Sequence, residues 1–434
     1  MINASLGAHY SEKFIFQSLK QLLKQVFLIP KKDLRPHLQK KLAKLFESNK
    51  NNIQLVYKGR DAIELSLKKY GITNPKDGVI TQAFTCSAIE EGILRAGATP
   101  LYTDIGKNQL NLTVESLEKT WAEHNSKHKI KAILVQHSLG HPAEIKKISA
   151  WCKKKNILLI EDLAQSFGAT DEEKKLLGTY ADTIILSFGR DKVIDAITGG
   201  AVIFKTNFNN LLKKSLIKKG NANKEKNIKL KPPTQKIILK DLAYPVITWI
   251  IRKTFYISVP LPTKRISLGK IIHLIFKKIG WLSSPTFAPT KKLTTMPTAI
   301  APLVISQLET HKKIHQHRQT ITSFYLENLE NLPIHLFTKK DHLETGSLLR
   351  VALLVPNWPK LIKSWKKHNI HLADRWYRQP VDCGSQNCSQ KYKKNSCPNA
   401  EKTSSQIINL PTHSKISLKD AEKIVNDIKN LYSK

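Results

Sequence analysis

From about residue 51 to 205 the chain alternates short apolar runs with stretches of helical periodicity. The runs are Gly78 to Thr81, Pro100 to Asp104, Ala132 to Val135, Ile157 to Ile160, Thr183 to Leu186 and Ala201 to Phe204. Between them, Asp61 to Lys69, Ser87 to Arg95 and Val114 to Trp121 read as helices. Uninterrupted apolar runs of this length belong to strands buried on both faces. Strands that alternate with helices predict an α/β domain, its sheet mostly parallel and covered on both sides. Residues 1–50 read as an N-terminal helical arm and 51–205 as the large domain. Residues 206–290 read as an insertion. The remainder, 291–434, combines a connecting helix from about Pro297 to Asn328 with a smaller α+β domain, whose last helix runs from about Leu418 to Tyr432.

The insertion changes the picture through its charge. From Lys205 to Lys292 there are 20 Lys or Arg residues against two acids, Glu225 and Asp241. Apolar clusters interrupt this charge, first Leu242 to Ile251 and then Phe255-Tyr256-Ile257. Beyond them Leu268, Ile271, Ile272, Ile275 and Ile279 recur at helical spacing, with Lys270, His273 and Lys277 on the other face. A basic amphipathic helix of this kind suits an anionic membrane surface. It equally suits a helix packed on its own core with the wet face outward.

The whole chain of 434 residues carries a formal charge of +37, but only ten of its 71 basic residues are arginine. Nucleic-acid readers favour arginine, whose planar fork grips phosphate and base edges, and no nucleic-acid motif is present. No nucleic-acid partner is expected. Five cysteines, an odd count in a long chain, point to a reducing compartment rather than a disulfide framework. Cys383, Cys388 and Cys397 lack the paired knuckle of a zinc site and read as loop cysteines, so no metal is expected. The N-terminus lacks signal-peptide character, and no apolar run approaches the roughly 20 residues that span a bilayer. A cytoplasmic protein is expected, one that can sit peripherally at the inner face of the membrane.

The chemistry concentrates at two strand ends. Ile157 to Ile160 leads into Glu161-Asp162, and Thr183 to Leu186 leads into Ser187-Phe188-Gly189-Arg190-Asp191-Lys192. In such sheets ligands bind beyond the carboxyl ends of the strands. A lysine amine and a carboxylate there are the pair that pyridoxal phosphate requires. The amine forms a Schiff base with its aldehyde, and the carboxylate keeps its ring nitrogen protonated.

These residues resemble the DegT/StrS-type pyridoxal-phosphate-dependent aminotransferases of amino-sugar biosynthesis, from about Gly59 to Lys205 and again from about Met296 onward. The matching segments are ordered: Gln82 to Cys86, His137 to Ala143, Glu161 to Ala169, Gly178 to Asp182, Ser187 to Lys192, Cys397 to Glu401 and Leu410 to His413. The resemblance implies transferase fold type I. It makes Lys192 and Asp162 catalytic, with Gln165 bonding the cofactor's phenolic oxygen. Gly59, Arg60, Asp61 and Ser187 would surround the phosphate at a helix N-terminus, with Arg60 standing where the family usually has threonine. Cys86 stands where the family often stacks an aromatic on the ring. Leu293-Thr294-Thr295-Met296 replaces the Asn-x-Arg-Met that reaches the neighbouring subunit's cofactor phosphate. Arg60 or a nearby lysine would then compensate.

The implied reaction is ping-pong transfer of an amino group from an amino acid, glutamate by analogy, to a keto sugar on a nucleotide; the charged insertion suggests a lipid-phosphate carrier as a variation. A homodimer is implied as well. A non-catalytic regulator on the same fold is the alternative, and the retained Lys192 and Asp162 weigh against it. His137, Arg375 and Arg378 are further candidates near the pocket.

Overall fold

A computed structural model describes residues 2–30, 32–205, 230–260, 265–282, 290, 292–372, 375–384 and 391–432. The early part of the basic insertion, 206–229, and Cys388 lie outside these residues. The chain begins with a two-residue strand, β1 (Ile2–Asn3), then helices α1 (Glu12–Val26) and α2 (Arg35–Leu45). The N-terminal arm is therefore not helical throughout. β1 pairs in parallel with a strand near the other end of the chain.

Seven strands make the central sheet: β2 (Ile53–Val56), β3 (Asp77–Gln82), β4 (Thr99–Thr103), β5 (Lys129–Gln136), β6 (Leu158–Asp162), β7 (Thr183–Ser187) and β8 (Gly200–Phe204). Their order is β2-β8-β7-β6-β5-β3-β4. β8 runs antiparallel to both neighbours, and the other pairs are parallel. Four helices connect successive strands up to β6: α3 (Gly59–Lys69), α4 (Ser87–Ala96), α5 (Val114–His124) and α6 (Ile145–Lys155). Successive side chains of a strand point to opposite faces, so the apolar runs feed two cores. Ala132 and Leu134 join Ile63 and Ile93 on one side, whereas Ile133 and Val135 join Leu117 and Ile148 on the other.

The insertion folds back on this body. Helix α7 (Gln235–Lys253) is followed by a small antiparallel hairpin, β9 (Ser258–Pro260) with β10 (Arg265–Ser267), and by α8 (Leu268–Lys278). Ile272 and Phe276 of α8 pack on Ala243, Ile247 and Ile251 of α7. The approach is close because position 269 is glycine; a Cβ there would collide with the Ile251 carbonyl oxygen. The sequence placed Ile275 and Ile279 on the same apolar stripe, yet they are exposed at 53% and 54%, beside Leu274 at 62%. An 11-residue helix offers one narrow contact line, and α7 takes only the Ile272–Phe276 edge of it. No described helix is long and apolar enough to cross a membrane.

Helix α9 (Ala301–Leu329) joins the two domains: Leu303 and Val304 sit in the large-domain core, and Ile321, Tyr325 and Leu329 sit in the small-domain core. The small domain adds β11 (His335–Leu336), α10 (His342–Thr345), β12 (Arg350–Leu354), α11 (Trp358–Lys367), β13 (Ile370–His371), α12 (Pro398–Gln406), β14 (Ile407–Pro411) and α13 (Leu418–Tyr432). β11, β12 and β14 form an antiparallel sheet over fully buried Trp365.

One cysteine expectation needs correction. Cys383 is disulfide-bonded rather than a free loop thiol, so its sulfur is no thiolate ligand for zinc. Cys397 lies in the loop, as expected, at its last residue. It leads into α12, and burial pushes its thiol up to about 12.

Candidate active site

The carboxyl ends of β6 and β7, the start of α3 and the segment Trp376 to Gly384 enclose a cleft. Its volume, counting space open to solvent, is about 1050 Å³. Of the sequence-predicted residues, Gly59, Arg60, Cys86, Asp162, Gln165, Ser187 and Lys192 line it together.

Asp162 is the last residue of β6, and its Oδ1 accepts the backbone N–H of Ala164 at 3.0 Å. Burial raises its carboxyl pKa, while the Lys192 ammonium, the Ala164 N–H and His137 pull the other way. Lys192 follows β7 in a loop whose preceding residue, Asp191, adopts φ +61°. That left-handed conformation is one that aspartate tolerates better than most residues. The Asp191 N–H donates to Asp195 Oδ2 at 2.8 Å, which pins the turn. The Lys192 Nζ then lies 5.5 Å from the ring centroid of Trp376.

Gln165 is held at both ends of its amide. Its Oε1 accepts the Leu139 N–H at 2.7 Å, and its Nε2 donates to Tyr377 Oη at 2.6 Å. Cys86 stands just before α4, partly exposed and free, with its backbone bridged to Asp382.

At the other end of the cleft, Gly59 opens α3, and the first N–H groups of a helix lack partners within it. A Cβ on Gly59 would lie 2.9 Å from Cβ and 3.1 Å from Oγ of Ser187. Glycine is thus what lets the helix start approach the end of β7. Arg60 is buried and ion-paired with Glu91, so part of its charge is already answered. Asp61 has a different task from the one expected of it. Its carboxylate accepts the Lys58 N–H at 3.2 Å and the Thr294 hydroxyl at 3.3 Å, and pairs with Arg95 at 2.9 Å. It caps and anchors α3 and does not line the cleft.

His137 lines a small cavity beside Asp162 and Lys192, and both of its ring nitrogens have partners. Its Nδ1 accepts the Ala143 N–H at 2.9 Å, which leaves the proton on Nε2, 3.3 Å from Glu161 Oε2. Arg375 turns away from the cleft, 3.7 Å from the Trp358 ring centroid, and donates to the carbonyls of Ser404 and Ile407. Arg378 does reach the cleft, steadied by Asp382 at 3.4 Å.

Sequence reasoning missed Lys58, Arg190, Trp376 and Tyr377, all of which line the cleft. Arg190 lay inside the lysine motif, and the aromatic pair lay between two flagged arginines. Lys58 carried no signal. Burial lowers its pKa from 10.5 to about 8, with Asp241 drawing it back up.

The donor set is asymmetric. Lys58, Arg60, Arg190, the Ser187 hydroxyl and a helix start gather at one end, and a buried carboxylate faces a lysine at the other. This suits a ligand with a dianion at one end and a protonated ring nitrogen at the other, and pyridoxal phosphate fits that description.

Comparison with known proteins agrees. The sequence matches the DegT/DnrJ/EryC1/StrS aminotransferase family over residues 10–239 and 284–429. An uncharacterized protein of Methanocaldococcus jannaschii is 27% identical over 86% of this chain and 83% of its own length. A UDP-2-acetamido-2-deoxy-3-oxo-D-glucuronate aminotransferase of Pseudomonas aeruginosa is 36% identical, over 34% of this chain and 39% of its own length. Among solved structures, a DegT/DnrJ/EryC1/StrS aminotransferase from Brucella abortus superposes with a TM-score of 0.67, at 18% identity, covering 97% of each chain.

Proposed function

As the chain belongs to the DegT/DnrJ/EryC1/StrS aminotransferase family, we propose that it is a pyridoxal-phosphate-dependent aminotransferase acting on a keto sugar. The observation that carries this reading is Lys192 and buried Asp162 lining one cleft whose far end is cationic. When bound there, pyridoxal phosphate supplies an aldehyde and an electron-withdrawing ring. Lys192 would provide the amine that holds that aldehyde and the base for the proton at the substrate's reacting carbon. Asp162 would keep the ring nitrogen protonated. Gln165, fixed by Leu139 and Tyr377, presents its amide beside the ring. Trp376 and Tyr377 line the cleft, Trp376 beside the Lys192 amine.

Glutamate as the amino donor, a nucleotide carrier on the sugar and a homodimer rest on the family resemblance, and a lipid-phosphate carrier rests on the basic insertion. Arg378 at the cleft rim is the cation available to an anionic substrate. The reading is tested by the visible absorbance of the protein mixed with pyridoxal phosphate. Wild type should show a band that glutamate bleaches, and Lys192→Ala should show none. A band that survives Lys192→Ala would refute the assignment of the lysine.

The outer face of α7 and α8 supports a second element of the reading, docking on an anionic bilayer. Leu274, Ile275 and Ile279 are exposed beside Lys277 and Lys278. The one carboxylate between residues 230 and 292, Asp241, faces inward to Tyr57.

A further inference from the structure

Residues 240–283 lie outside the segments matched by the family, yet two side chains from this stretch reach the cationic end of the cleft. Both come from α7. Tyr57 Oη donates to Asp241 Oδ2 at 2.6 Å, and the Lys58 Nζ lies over the same tyrosine, 4.9 Å from its ring centroid. One turn further along α7, Tyr244 lies under the Arg190 guanidinium, with the carbon 4.5 Å from the ring centroid. Tyr10 meets the same ring edge-on at 6.3 Å, so Tyr244 is itself held in place.

Lys58 and Arg190 line the cleft next to Gly59 and Ser187. Long cationic side chains lose binding strength when they are free to wander, and a fixed cation costs less to organise around an anion. Thr294 and Thr295, on the segment that precedes α9, are committed to Asp61 and to the Leu55 carbonyl and offer no cation. α7 occupies the back of the same end.

We propose that α7 completes the cofactor-phosphate cradle from within the same chain, with Tyr244 and Asp241 as positioning residues that hold Arg190 and Lys58 toward the phosphate. The inference rests on the proposed function, and its test separates the two. Apoprotein is titrated with pyridoxal phosphate and, in parallel, with pyridoxal, which has the same aldehyde and ring but no phosphate. Dissociation constants are read from the visible band. Tyr244→Leu and Asp241→Asn should each weaken pyridoxal phosphate about tenfold, as expected for loss of one partly buried cation contact. Both should leave pyridoxal unchanged. Trp249→Ser, on a part of α7 facing away from the cleft, should change neither.

Equal weakening of both ligands would mean that α7 merely supports the fold, and no weakening would mean that it does not touch the cradle. Either result overturns the proposal. Asp241→Asn is isosteric, so it carries the test alone if Tyr244→Leu does not fold. A wild type without a Lys192-dependent band would instead refute the aminotransferase reading itself.

Discussion

Lys58 shows how one side chain sets the working range of the site. Burial lowers its pKa from 10.5 to about 8, against the upward pull of Asp241. The groups that face it are Asp241 from α7, Arg190 from the lysine loop, and Arg60 and Asp61 from α3. A lowered lysine pKa means that the ammonium is present below about pH 8 and lost above it, more than two units earlier than in a free lysine. The cofactor's phosphate has its second pKa at about 6 and stays a dianion through this range. Affinity for pyridoxal phosphate should therefore be flat from about pH 7 to 8 and fall above that, by at most roughly tenfold per unit for one proton. Affinity for pyridoxal reports everything that Lys192 does and nothing that Lys58 does. The ratio of the two, measured from pH 7 to 10, isolates Lys58. In Asp241→Asn the fall should begin at lower pH, because the group that raises the pKa is gone. A ratio independent of pH would remove Lys58 from the phosphate site.

At the scale of elements, periodicity was an accurate guide where packing is two-sided. The runs read at 78–81, 132–135 and 183–186 are the cores of β3, β5 and β7, and the last helix begins and ends where its pattern does. Strand ends then told where Asp162, Ser187 and Lys192 would meet. The pattern failed where a contact depends on tertiary partners. Asp61 looked like a phosphate ligand because it follows Gly59 and Arg60, but only the fold brings Arg95 and Thr294 to it. Tyr244 sits in an apolar run with no mark to distinguish it from core, and its role comes from lying beside Arg190.

The hairpin of α7 and α8 is the sharpest instance, since its stripe was read correctly as amphipathic but not as divided. Ile272 and Phe276 face α7, whereas Leu274, Ile275 and Ile279 face out with Lys277 and Lys278. The outer row should bind vesicles containing an anionic phospholipid and ignore neutral ones. Each lysine near such a surface contributes about 1 kcal/mol. Lys277→Gln with Lys278→Gln should therefore weaken co-sedimentation roughly thirtyfold without changing the Lys192-dependent band. Binding should also fade as salt shortens the screening length. Equal sedimentation with neutral vesicles, or none with anionic ones, would end the membrane reading.

Across the whole molecule, the first ten residues link both hydrophobic cores to the loop that carries Lys192. The Ile2 N–H donates to the Asn369 carbonyl, and β1 pairs with β13 of the small domain. Arg350, on β12, donates to the Ala4 carbonyl at 3.2 Å while its guanidinium lies 4.6 Å from the Trp376 ring centroid. A few residues later, His9 Nε2 stands 3.4 Å from Asp191, and Tyr10 Oη donates to Asp195 at 2.8 Å. Asp195 in turn accepts the N–H groups of Asp191 and Ile197, which bracket Lys192 and its turn. The carboxylate is thus the node through which the N-terminal segment fixes the lysine loop. Burial already raises its pKa to about 6, so loss of the Tyr10 donor leaves a poorly solvated charge. Losing a hydrogen bond to a charged, buried group costs about 1.5–3 kcal/mol. If the loop opens locally, Tyr10→Phe should lower amide-exchange protection at Asp191 and Ile197 by roughly 10- to 100-fold. Amides of β3 and β5, at the far side of the sheet, should keep their protection. Hydrogen exchange resolved to single residues reads both. Uniform loss across the sheet would instead make Tyr10 a general core residue, stacked on Phe14 at 4.8 Å, with no particular hold on the lysine loop.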